Sequence, residues 1–239
     1  MKKIYKILII VFASLVVVLG GGFGILYLNG LSGMSNTSEP KEGQIRVACV
    51  GDSITYGHGI KNWAKNNYPA VLQKELKDEY HVNNFGVSGF CVQDDADKPY
   101  TSLDQYQASL DYDPDIVVFM MGSNDAKPYN WKSPGAFRSE LEEILQTYED
   151  AGAKIYLCTP ATAFFIDEES ITETSFHIQP SVVEIIAALV RGVATEHEYE
   201  LIDINNFTEN HPEWFDDGIH PNNEGAKEIA KEISTYIKK

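Results

Sequence analysis

Residues 115–121, DIVVFMM, hold six consecutive apolar side chains from Ile116 to Met121. A strand with one face in water alternates apolar and polar residues, so a short run without alternation predicts a strand covered on both sides. Outward from this run, QIRVACV (44–50), YHVNNF (80–85), KIYLCT (154–159) and ELIDI (200–204) read as further strands. Between and after them, YPAVLQKELKDE (68–79), GAFRSELEEILQTYED (135–150), PSVVEIIAALVRGVATEH (180–197) and NEGAKEIAKEISTYI (223–237) place apolar residues at helical spacing, with Pro180 near one helix start. Strands separated by helices predict a parallel sheet clad on both faces with right-handed crossovers. In such sheets ligands bind beyond the carboxyl ends of the strands.

Residues capable of chemistry fall at those ends. Ser53 follows the first strand in CVGDSITYG (49–57), Gly86 the second in NNFGVSG (83–89), Asn124 the third in MMGSND (120–125), and DDGIHP (216–221) lies beyond the fifth. A serine hydroxyl is a weak nucleophile at neutral pH and needs a base, which in turn needs an orienting acceptor. Asp217 and His220, three apart in a turn-rich segment, can supply both. The negative oxygen of a tetrahedral intermediate needs donors. The N–H groups of Ser53 and Gly86 and the amide of Asn124 are the candidates.

GDSIT, the glycine of NFGVSG, GSND and DGIHP resemble, in order, the four sequence blocks of the SGNH (GDSL-type) hydrolases. That resemblance covers about Val47 to the C-terminus and implies a flavodoxin-like three-layer α/β/α sandwich with a five-stranded parallel sheet. It also implies a serine esterase without metal or cofactor. Ser53 would be the nucleophile, Gly86 and Asn124 oxyanion donors, Asp217 the orienting acid and His220 the base. Ser123 stands where the family often has Thr. The stretches YPAVLQKEL, NFGVSG and GSNDAKPYNW look most like members acting on carbohydrate O-acetyl esters, including sialate-type acetylesterases. A lysophospholipase or thioesterase, or a catalytically dead glycan-binding module, are the alternatives.

Other residues compete for these roles. Ser88 in GVSGF lacks the G-x-S-x-G nucleophile elbow, Asp216 neighbours Asp217, and Asp52 can bond within its own turn. His81, His177, His197 and His211 have no acid in the relation that Asp217 bears to His220, and neither has His58, so each reads as a surface histidine, although the closeness of His58 to Ser53 could let it touch substrate. Trp63 and Trp131 lie in polar, aromatic stretches suited either to sugar stacking or to loop packing. The acidic, tyrosine-rich segment from Asp104 to Asp115 reads as a solvated face.

The chain also predicts how the enzyme is held. Lys2, Lys3 and Lys6 precede a charge-free stretch from Ile7 to Leu28, long enough at about 1.5 Å per residue to cross roughly 30 Å of hydrocarbon. Residues 1–31 therefore read as a signal anchor or a signal peptide. The anchor is favoured because FGILYL resumes the apolar run after Gly20–Gly22. SGMSNTSEPKEG (32–43) reads as a flexible linker and 44–239 as the catalytic domain. With lysines at the cytoplasmic end, the domain would lie outside a single-pass membrane segment, or be secreted after cleavage. The net charge is −16, and setting aside the three lysines of residues 1–30 leaves the rest at −19. Such a balance argues against nucleic acid and against anionic headgroups as partners. Of the three cysteines, Cys49 and Cys158 sit in apolar strand-like runs and Cys91 in a loop-like stretch where its thiol could react; no disulfide is expected.

Overall fold

The computed structural model describes residues 37–165 and 176–238. The expected anchor, 1–31, lies outside them. Among the described residues no helix is long and apolar enough to cross a membrane.

Five parallel strands, β1 (Ile45–Gly51), β2 (Tyr80–Gly86), β3 (Ile116–Met120), β4 (Lys154–Cys158) and β5 (Glu200–Ile202), form one sheet in the order β2-β1-β3-β4-β5. This is the flavodoxin-like order, in which the switch point lies between β1 and β3. Side chains alternate between two separate cores. Ala48, Val50, Val117, Phe119, Ile155 and Leu157 face one layer; Val47, Cys49, Ile116, Val118, Tyr156 and Cys158 face the other. Because strand side chains have period two and both faces are covered, the unbroken apolar run of β3 is what the sandwich requires.

The first layer is built on α5 (Pro134–Asp150) and α6 (Pro180–Glu196), the second on α3 (Tyr68–Leu76) and α8 (Asn223–Ile237). Pro134 sits in the first turn of α5, where the lost N–H has no intrahelical partner, and the Ser133 hydroxyl caps it by accepting from Ala136 N–H at 3.1 Å. Short helices α1 (Ser53–Tyr56), α2 (Trp63–Asn66), α4 (Asp104–Asp111) and α7 (Ile204–Thr208) complete the chain.

Three expectations change. The segment 104–115 holds a helix rather than only a solvated face, since Tyr106 and Tyr112 pack against the first core and Ser109 bonds the Tyr148 hydroxyl at 2.7 Å. The strand expected over 200–204 ends at Ile202, because Asp203 caps α7 and receives two bonds from the Arg191 guanidinium. His81 is no surface histidine: its ring meets the Ser38 hydroxyl at 2.9 Å and the Tyr112 hydroxyl at 2.6 Å. Of the linker expected over 32–43, residues 37–43 are described, and Ser38 also exchanges backbone bonds with the Asn83 side chain, both 2.9 Å.

Candidate active site

At the carboxyl end of β1 the Asp52 side chain accepts from Ile54 N–H at 2.9 Å and caps α1. This places Ser53 in the first helical turn, with its own N–H, like that of Gly89, lacking an acceptor among the described residues. The turn after β5 arrives from the other side. Asp217 Oδ1 accepts from the backbone N–H of Ile219 (2.9 Å) and of His220 (2.7 Å), while Oδ2 meets His220 Nδ1 at 2.8 Å. The far ring nitrogen, Nε2, lies 3.0 Å from Ser53 Oγ. Residues 167 positions apart thus form one chain of hydrogen bonds from carboxylate to imidazole to hydroxyl. Burial pulls the Asp217 carboxyl upward, yet the bonds from His220 and the turn amides outweigh it and hold the group below its ordinary range. Asp216 turns away, its carboxylate accepting from Asn222 Nδ2 at 3.1 Å.

The glycine at the strand end is not where the sequence placed it. Gly86 N–H donates to Asn84 Oδ1 at 2.9 Å, and a Cβ on Gly86 would lie 2.2 Å from Tyr56 N. Gly86 is therefore glycine so that α1 can rest on the end of β2. The residue that reaches the cavity is Gly89, three positions on, with φ +90°. Only the glycine pattern of GVSG carries a signal for it, and that pattern does not distinguish the two. Asn124 sits in the same cavity, one amide hydrogen bonded to Phe90 O at 3.2 Å and the other without an acceptor among the described residues.

This cavity, of about 170 Å³, is lined by Ser53, Gly89, Asn124, His220, Phe176 and Ile178 among others. The Phe176 ring meets His220 edge-on, centroids 4.8 Å apart. His58 lines it too, its ring 4.6 Å from that of His220, and its backbone N–H donates to Ser53 O at 2.9 Å. Ser88 also reaches the cavity, but its buried hydroxyl has no hydrogen-bond partner among the described residues.

Two buried carboxyls stand behind the site. Asp125 accepts from Val92 N–H (3.0 Å) and Gln93 N–H (2.8 Å), and burial lifts its pKa to about 7. Burial likewise raises Asp52 to about 6. Other candidates are structural. Cys91 is buried, its thiol pushed up chiefly by desolvation and receiving a bond from Asn130 Nδ2 at 3.3 Å, which removes the reactive-thiol reading. Cys49 and Cys158 are buried free thiols as well. Trp63 is fully buried and donates to Tyr56 O, so it forms no open stacking platform, while Trp131 is half-buried beside Phe137. Among the described residues no group of His, Cys, Asp and Glu is arranged to hold a metal.

The sequence profile of the GDSL-like lipase/acylhydrolase family matches residues 49–228, and the chain belongs to that family. An acetylxylan esterase from Xylanibacter ruminicola is 38% identical over 220 residues, which cover 83% of this chain and 44% of the relative. The chain thus spans less than half the length of that relative. Among solved structures, a carbohydrate acetylesterase family member from Sinorhizobium meliloti superposes with a TM-score of 0.66 at 20% identity, over 82% of this chain and 98% of its own. A lipase/acylhydrolase from Enterococcus faecalis gives 0.66 at 22%, over 82% and 96%. At such identities the likeness to the solved structures is one of fold.

Proposed function

We propose that this protein is a serine esterase that removes small acyl groups, acetyl above all, from carbohydrate esters through an acyl-enzyme. The observation that carries the reading is the bridge made by His220, with Asp217 on one nitrogen and Ser53 on the other. Ser53 Oγ attacks the ester carbonyl carbon as its proton passes to His220 Nε2, and the carbonyl electron pair moves onto oxygen. Donors to that oxygen are the N–H groups of Ser53 and Gly89 and the free amide hydrogen of Asn124, with Gly89 in the place first assigned to Gly86. When the carbonyl reforms, the alcohol leaves with the proton from His220. Water, deprotonated by the same imidazole, then attacks the acyl-serine, and as the carbonyl reforms and the acid departs the proton on His220 returns to Ser53 Oγ.

The acetylxylan esterase relative supports a carbohydrate acetyl ester as substrate. A small reactive cavity walled by Phe176 and Ile178 suits a short acyl group better than a lipid chain. We further propose that the stretch from Ile7 to Leu28 holds the domain at the outer face of a membrane, with Lys2, Lys3 and Lys6 ahead of it on the inner side.

A fluorophosphonate probe with 4-nitrophenyl acetate turnover tests the chemistry. Labelling and hydrolysis should both occur, and Ser53→Ala should abolish the label and lower kcat by roughly 10³-fold or more. Folded wild-type protein that takes no label and hydrolyses no acetate would leave only a binding module.

A further inference from the structure

We infer that the imidazoles of His58 and His220 divide the cleft into a short-acyl chamber and a separate alcohol subsite built for a hydroxyl-rich, sugar-type leaving group, which His58 reads directly. The inference rests on the esterase reading above. A second cavity, of about 480 Å³, adjoins the reactive one, and His58 and His220 are the two side chains common to both. Ser53, Gly89 and Asn124 line only the smaller space, so the carbonyl carbon and its acyl group must lie there. The base must return its proton to the leaving oxygen, and His220 faces both spaces, so the alcohol extends into the larger one.

The walls differ in chemistry as the two halves of an acetylated sugar differ. Phe176 and Ile178 flank the smaller chamber beyond the reacting groups, with Ser88 and Lys127 also in its lining. Lys61, Asp216, Asn222, Asn223 and Glu224 surround the larger, which has the volume of a site for an ordinary small ligand. Some of these groups are held in place: Asn223 accepts from Lys61 N–H at 2.9 Å and returns a bond to Lys61 O at 3.0 Å. His58 is different. Its backbone is tied to Ser53 O, yet among the described residues neither ring nitrogen has a hydrogen-bond partner. Desolvation and the neighbouring His220 both lower its pKa, which keeps the ring neutral, able to donate from one nitrogen and accept at the other. A sugar hydroxyl beside the ester can take both roles in return. A 4-nitrophenyl ester, with no second hydroxyl, cannot.

The experiment compares kcat/KM for methyl 2-O-acetyl-xylopyranoside, whose free hydroxyl lies beside the ester, and for 4-nitrophenyl acetate in wild-type protein, His58→Ala and His58→Gln. His58→Ala should lower the ratio of sugar acetate to nitrophenyl acetate about tenfold or more, chiefly through KM, and His58→Gln should recover part of it. An unchanged ratio overturns the inference. A second measurement needs no variant: acyl-enzyme formed from 4-nitrophenyl acetate should pass acetyl to methyl xyloside in preference to an equal concentration of cyclohexanol, the ester bond to Ser53 exchanging for one to the acceptor hydroxyl. Preference for cyclohexanol, or none, also overturns it. Wild-type protein that turns over neither acetate would instead defeat the esterase reading itself.

Discussion

The two walls of the cleft are built in opposite ways. The turn from Asp217 to His220 is self-contained: one carboxylate satisfies two backbone amides and the imidazole within four residues. The loop from Gly86 to Gln93, which carries Gly89, is held from afar. Asn124 donates to Phe90 O, Asp125 accepts from Val92 and Gln93, and Asn130 reaches Cys91 Sγ, all from the segment after β3. A local turn keeps its geometry when its neighbours relax, whereas a loop fixed by a remote carboxylate inherits every disturbance of that carboxylate.

Substituting Asp217→Asn should have the largest effect. Its side-chain oxygen can still accept from the two turn amides, so thermal stability should change little, while kcat falls on the order of 10³- to 10⁴-fold because the imidazole loses its orienting anion. Steady-state kinetics beside a melting curve measure both; a fall in Tm matching the fall in rate would break the contrast. Asn124→Ala should come next, lowering kcat roughly 10²- to 10³-fold by removing an oxyanion donor, with fluorophosphonate labelling slowed but still present. Loss confined to KM would move Asn124 from the oxyanion to substrate binding.

Asp125→Asn should be mildest in rate, about tenfold in kcat, since one of two loop amides loses its acceptor and the Gly89 loop loosens. It sharpens the contrast through pH. Burial raises the native pKa of Asp125 from 3.8 to about 7, so between those values the folded protein binds more protons than the unfolded chain. Stability from this group is present at acid pH and declines as pH rises toward about 7. Removing the carboxyl removes the decline, so the Tm of the variant relative to wild type should be more favourable at about pH 8 than at about pH 5. A difference independent of pH would mean that the carboxyl is not desolvated.

The same contrast explains what the sequence could tell. Ser53 and the Asp217–His220 pair were legible because each motif makes its own local structure: a capped helical turn, and a carboxylate that folds back on the next three residues. The layered fold was legible because β1, β3 and β4 are apolar on both faces. Gly89 was not, because which glycine faces the cavity is decided by the approach of α1 to β2, a contact between segments some 30 positions apart. Cys91 and Trp63 were ambiguous for a related reason. Polar neighbours in sequence suggested exposure, but loops folded over them bury both. His58 is marked in the sequence only by its nearness to Ser53, and the cavity shared with His220 gives it a place.

The clasp at Ser38 has a mechanical consequence. It grips β2 at His81 and Asn83, toward the end of the sheet opposite the catalytic rim, with about 17 Å of strand between His81 and Gly86. A body hung from a bilayer by the chain ahead of Thr37 would be suspended from its floor, with its opening directed away from the lipid toward whatever polymer coats the cell. Cutting that grip takes Asn83 as well as Ser38, because two of its three bonds run between the Asn83 side chain and the Ser38 backbone, and neither residue touches the chemistry.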